Sequence, residues 1–246
     1  KLTIEYDGKD FNGWQKQKTN ISVQETFERA AKVFFQEDIK AVVAGRTDAG
    51  VHAKGQVVHL DSNKNKAKDK VLLGINFHLL NEAHGDQIAV KKVVVVNNKF
   101  SARFSAKKKM YQYTILNDAI RSPAISDISW LEKKNLCLKN MRLASNLLIG
   151  KHDFSSFRSK GCQSKSPIKN IESISIIRKK KIIKINFFAR SFLYNQIRIM
   201  VGTLRDVGLG KKQPQDIKII IRKKNRQFAG ITAPSKGLSL VKIYYK

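Results

Sequence analysis

A single carboxylate, Asp48, sits in the run Ala44-Gly45-Arg46-Thr47-Asp48-Ala49-Gly50-Val51-His52, between two glycines and two residues after an arginine. Gly55 and the alternating run Gln56 to Leu60 follow. Gly45, Gly50 and Gly55 lack a Cβ, so the backbone there can turn tightly or approach a ligand closely. The pattern predicts an acidic side chain on a shaped loop that leads into a strand. A carboxylate held in this way is a candidate nucleophile or base. The same spacing also suits an Asp-Ala-Gly turn whose aspartate bonds only its own backbone. Other chemistries lack their residues. His52, His59, His78, His84 and His152 are scattered, with no serine or cysteine motif to match. There is no glycine-rich phosphate loop or dinucleotide fingerprint. Cys137 and Cys162 show no metal-ligand spacing, so no metal site is expected.

Charge narrows the partner. The chain has 246 residues with 48 Lys and Arg against 19 Asp and Glu, a formal net charge of +29. Self-repulsion on that scale is relieved by a polyanion, and nucleic acid is the natural one, ahead of an anionic membrane surface. Part of the excess reflects a general richness in Lys, Ile and Asn. Hydrophobic residues make up 42%, enough for a packed protein rather than a disordered one. No run approaches the roughly 18 apolar residues of a membrane span. The opening Lys1-Leu2-Thr3-Ile4 reads as a strand rather than a signal peptide. Two cysteines without a framework fit a reducing cytoplasm.

The elements that must position these residues can be read from periodicity. Leu2, Ile4 and Tyr6 alternate and stop at Asp7-Gly8, giving a strand and a turn. Ser22-Val23-Gln24-Glu25 matches a capping box, and Val23, Phe27, Ala30, Ala31 and Phe34 predict an amphipathic helix over 22–37. Ala41 to Ala44 and Gln56 to Leu60 read as strands, Asp69 as the cap of a second helix, and Ile88 to Val96 as a strand. Strand, helix, strand, strand, helix, strand is the order of the split βαβ, ferredoxin-like unit. The rhythm recurs: strand 111–116, helix 138–149, strands 171–177 and 182–188 around Arg178 to Lys181, helix 193–207, a helix from Pro214, and strand 238–245. The expected fold class is therefore α+β, two ferredoxin-like (RRM-like) halves over 1–103 and 104–246. Their antiparallel sheets would flank a central basic cleft, the default site.

Motifs spread along the whole chain resemble the TruA family of tRNA pseudouridine synthases. They are Tyr6-Asp7-Gly8, Phe11-Asn12-Gly13-Trp14-Gln15, Gly45 to His52, Phe100 to Ala106 and Lys109-Met110-Tyr111-Gln112-Tyr113. Gly150 to Phe157, Gly161-Cys162-Gln163-Ser164, Phe192 to Gly202 and Thr232-Ala233-Pro234 continue in the same order. The resemblance implies that Asp48 is the catalytic aspartate. Arg198 would be its charge partner, holding the carboxylate ionised. Tyr111 would pack against the target base. It further implies isomerisation of uridine to pseudouridine in the anticodon stem-loop of tRNA, at positions 38, 39 and 40. No cofactor or metal is needed for that, and a homodimer would hold the tRNA. The target lies in a stem, so its nucleotide must leave the stack, and Arg46 could contact phosphate or fill the vacated space. Arg103 would bind phosphate or brace the cleft, and Lys109 ends a Lys-Lys-Lys edge suited to phosphate. Trp14 and Phe154 read as packing residues. Cys137 stands where the family carries a helix-capping Asp. The competing reading is a non-catalytic RNA-binding module or RNA chaperone of the same fold. A DNA-binding protein is less well supported, because no helix-turn-helix or zinc-finger pattern occurs.

Overall fold

Leu2, Ile4 and Tyr6 point to one side of β1 (Leu2–Tyr6) and are buried, while Thr3 and Glu5 are partly exposed. The structure is a computed structural model describing residues 1–17 and 19–245. Ser22 caps α1 (Val23–Phe35), its hydroxyl accepting from the Glu25 amide at 3.3 Å. The Glu25 carboxylate turns outward to Arg29 at 2.9 Å and Lys16 at 3.5 Å. Val23, Phe27, Ala30 and Ala31 repeat at helical spacing and are fully buried, so this face of α1 supplies core.

β2 (Val42–Val43) and β3 (His52–His59) bracket the Asp48 loop, and α2 (Lys68–Leu79) and β4 (Ile88–Val93) follow. β4 pairs with β1, β1 with β3 and β3 with β2, all antiparallel. That is the connectivity of the split βαβ unit. Asp69 does not cap α2: Ala67 holds the cap position and Asp69 falls in the first turn, where a negative charge still favours the helix N-terminus.

A second compact unit covers Lys108–Leu238. β5 (Lys108–Asn117) carries β6 (Trp130–Glu132) as a parallel neighbour, and α3 (Leu138–Asn146) and β7 (Gly150–Asp153) follow. The long hairpin β8 (Ile168–Lys179) and β9 (Ile182–Ala189) turns at Lys180, whose φ is +54°. β5-β9-β8-β7 pair antiparallel in that order. Ile183, Ile185, Phe187 and Ala189 alternate along β9 and are all fully buried. α4 (Gln196–Gly208) sends Ile199, Met200, Leu204 and Val207 into the core, and α5 (Asp216–Lys223) adds Ile217 and Ile220.

The closing strand β10 (Leu238–Tyr244) runs parallel to β3, with Ser239 opposite His52 and Leu240 opposite Ala53. From Ser239 onward the chain groups with Lys1–Lys107 in the first unit. The edge of β3 is thereby shared, β2 lying on its Val58–His59 end and β10 on its His52–Ala53 end. Beside the expected antiparallel pairs there are two parallel ones, β10 on β3 and β6 on β5. Parallel neighbours require long connections rather than hairpins, and both strands have them. Among the described residues no helix is long and apolar enough to cross a membrane.

Candidate active site

Asp48 lies half-buried between β2 and β3, and Arg46 on the same loop is exposed. The loop backbone is tied on both sides. Trp14 N donates to Thr47 O at 3.1 Å, Gly50 N to Phe11 O at 3.2 Å, and Val51 N to Asp48 O at 3.1 Å. Gly13 makes this approach possible: its φ is +87°, and a Cβ there would stand 2.7 Å from the Thr47 carbonyl oxygen. Trp14 beside it is fully buried.

Beneath the loop lies a buried polar network. The Tyr6 hydroxyl is 2.7 Å from Thr47 Oγ1. Gln56 Nε2 donates to Gly45 O at 2.8 Å and to the Tyr6 oxygen at 3.3 Å. Gln56 and Thr47 together thus satisfy the buried phenol oxygen. Burial pushes the Tyr6 hydroxyl up to about 12, against the opposing pull of the Thr47 and Gln56 hydrogen bonds. A satisfied network of this kind fixes a single loop shape, because any shift leaves buried polar atoms unpaired. Asp48 thus inherits its position from Thr47, one residue earlier.

In the second unit Tyr111 sits on β5 opposite Phe187 of β9, almost fully buried. Its ring meets Phe192 edge-on, centroids 5.4 Å apart at 86°. Lys109 shares that face of β5 two residues earlier.

Arg198 lies in the first turn of α4. Its Nε donates to Ala233 O at 2.7 Å and its Nη1 to Asn195 Oδ1 at 2.8 Å. Ala233 N returns a bond to Arg198 O at 3.1 Å. Segment 230–234 runs this close to α4 because Gly202 has no side chain: a Cβ there would be 1.8 Å from Ile231 O. Thr203 Oγ1 accepts from Gly230 N at 2.9 Å and clamps the same segment. Tyr113 donates to Pro234 O at 2.8 Å. Burial drives its hydroxyl far above the usual tyrosine range, the Arg198 charge pulling the other way.

The sequence-derived candidates therefore fall in two groups. Arg46 and Asp48 share one loop of the first unit, which also carries Arg103, exposed in the turn 101–105. Lys109, Tyr111 and Arg198 belong to the second unit. Tyr6, Thr47 and Gln56 as supports of the Asp48 loop, and Asn195 and Ala233 as anchors of Arg198, escaped the sequence reading. Asn195 did leave a trace: it adopts φ +58°, a conformation asparagine tolerates better than most residues. Cys137 occupies the cap of α3 without a side-chain cap bond, a position that Ser, Thr, Asp or Asn fills better than a thiol.

The family model described as tRNA pseudouridine synthase matches residues 144–246, from the end of α3 through α4, Arg198 and β10. Over its full length the chain is 47% identical to tRNA pseudouridine synthase A of Ehrlichia chaffeensis, covering 99% of that protein. It is 44% identical to the protein of the same name from Wolbachia pipientis wMel, again over the full chain and 99% of the relative. For the one from Acetivibrio thermocellus the figures are 40%, the full chain and 98%. The chain belongs to the tRNA pseudouridine synthase family.

Proposed function

We propose that this chain isomerises uridine to pseudouridine in the anticodon stem-loop of tRNA, at positions 38, 39 and 40. The observation that carries the reading is end-to-end similarity, at 40–47% identity, to proteins named tRNA pseudouridine synthase A. In the reaction the N1–C1′ bond breaks, the base turns, and a C5–C1′ bond forms. The proton on C5 leaves and N1 gains one, so nothing is hydrolysed. Asp48 is the catalytic carboxylate, attacking as a nucleophile or taking a proton as a base. Arg198 keeps it ionised and oriented, and Tyr111 packs against the displaced base. Arg46, Arg103 and Lys109 contact the RNA, Arg46 nearest the vacated stack. The protein acts in the cytoplasm as a homodimer. Leu73 and Phe77 of α2 and Leu80 at its C-cap are exposed apolar surface that a second copy would bury.

The test is tritium release from tRNA carrying [5-³H]uridine. Wild type releases tritium and Asp48→Asn does not, while both bind the same tRNA. Equal release by the variant would remove Asp48 from the chemistry. Binding without release by wild type would instead favour the RNA-chaperone reading.

A further inference from the structure

Phe104 is 75% exposed, more than any other aromatic side chain among the described residues. It is not exposed through looseness. Ser105 N donates to Ser101 O at 2.9 Å, Ser101 N to Ser105 Oγ at 3.1 Å, and Phe104 N to Ser101 Oγ at 3.3 Å, closing the turn on itself. Ala102 within the turn is fully buried and held from both sides: its N–H donates to His59 Nδ1 at 3.1 Å and its carbonyl accepts from Tyr245 Oη at 2.9 Å. A fixed turn therefore presents a large apolar ring to water. The Arg103 guanidinium stands over that ring, 5.3 Å from its centroid, and three quarters of the side chain stays open to solvent.

We propose that Phe104 is a stacking platform for an unpaired base of the RNA substrate, with Arg103 backing the ring and reaching the neighbouring phosphate. This rests on the reading of the protein as a tRNA-modifying enzyme and adds a binding residue to it. The local charge selects the partner. Residues 99–109 carry Lys99, Arg103, Lys107, Lys108 and Lys109 and no acid, and although Lys108 pairs with Glu172 at 3.4 Å the stretch stays cationic and attracts a polyanion. An aromatic face accepts any base, and a cation on its opposite face strengthens the stack. The turn needs no rearrangement to bind, so little ordering entropy opposes it.

The experiment measures the affinity of an unmodified tRNA transcript for wild type, Phe104→Leu, Phe104→Tyr and Arg103→Gln across a salt series, with melting curves to verify folding. Stacking predicts that Phe104→Leu weakens binding about tenfold or more at every salt concentration, leaving the slope of log affinity against log salt unchanged. Phe104→Tyr keeps the ring and restores affinity. Arg103→Gln lowers the magnitude of the slope by about one, as loss of a phosphate contact requires. Unchanged affinity in Phe104→Leu overturns the proposal. So does a change in that variant's sedimentation with no change in RNA affinity, which would make the ring a self-association contact. Tritium release by wild type is scored separately, so failure of the platform and failure of the proposed activity are distinct results.

Discussion

Arg198 and Ala233 hold each other reciprocally: the Arg198 guanidinium donates to the Ala233 carbonyl at 2.7 Å, and the Ala233 amide donates to the Arg198 carbonyl at 3.1 Å. The pair pins the first turn of α4 to segment 230–234 and fixes the plane of the guanidinium. Asn195 fixes it a second time through Nη1, and Asn195 is itself braced by a 3.0 Å bond from its Nδ2 to Ser159 Oγ. A planar group held at two edges is preorganised, whereas an ammonium at the same place is not. Arg198→Lys is therefore expected to lower kcat about 100-fold with a much smaller change in tRNA affinity. Asn195→Gly keeps the left-handed backbone but loses the amide, and should lower kcat about tenfold at unchanged KM. Asn195→Asp retains the acceptor and should recover most of that loss. Steady-state tritium release separates the three, and a purely structural Asn195 would lower the melting temperature without this order in kcat.

Gly13 controls the Asp48 loop from outside it. A Cβ at φ +87°, 2.7 Å from the Thr47 carbonyl oxygen, meets backbone on the side that cannot give. Gly13→Ala should destabilise the protein by about 2 kcal/mol, from strain in the left-handed region together with the displaced loop. Turnover should fall further than the melting temperature suggests, since the displaced backbone is the one carrying Asp48. Thermal melts and tritium release on the same preparation check this, and a variant with lowered stability but full kcat would refute it.

Much of the scaffold was legible because burial is periodic. The alternation at Leu2, Ile4 and Tyr6 and the helical spacing of Val23, Phe27 and Ala30 each report one buried face, which is local information. Boundaries blurred where a single backbone conformation decides them. The expected helix over 193–207 begins only at Gln196, because Asn195 at φ +58° interrupts it. β3 starts at His52, earlier than the alternation at Gln56 suggests, since Ala53 and Gly55 carry little hydrophobic signal. Asp48 stood out from the glycines around it, though spacing alone left it a turn aspartate as readily as a catalyst, and Tyr111 and Arg198 stood out only through motif resemblance. Their supports did not, because Tyr6–Thr47 and Arg198–Ala233 join residues 41 and 35 positions apart, and no local pattern encodes such pairs.

The Tyr6–Thr47 bond makes a pH prediction whose sign is fixed. A phenol is neutral when protonated, and burial raises Tyr6 in the folded state to about 12, against about 10 when unfolded. Its contribution to stability is fully present below pH 10 and is lost as pH rises through 12, a span of about 2–3 kcal/mol. Tyr6→Phe should cost about 1–2 kcal/mol at neutral pH, because Thr47 Oγ1 and Gln56 Nε2 each lose a buried partner. Between pH 10 and 12 the gap between variant and wild type should close and then reverse, because the wild-type loss exceeds the cost of the substitution. Denaturant melts of both proteins across that range decide it, and parallel curves would show that Tyr6 does not carry the alkaline transition.

The net charge of +29 predicts how RNA binding responds to salt. Each Lys or Arg that neutralises a phosphate releases a counterion, contributing about −0.7 to −0.9 to the slope of log affinity against log salt. A tRNA gripped through its backbone by Arg46, Arg103, Lys109 and neighbouring lysines should therefore show a slope of about −3 or steeper. Arg46→Gln and Lys109→Gln should each reduce its magnitude by about one. The two should part company in turnover. Arg46 shares the Asp48 loop, so Arg46→Gln should also depress kcat if it fills the space a flipped nucleotide leaves, whereas Lys109→Gln should act through KM. Filter binding at four or five salt concentrations with parallel kinetics tests both points, and a nearly flat slope would show that charge is not what holds the RNA.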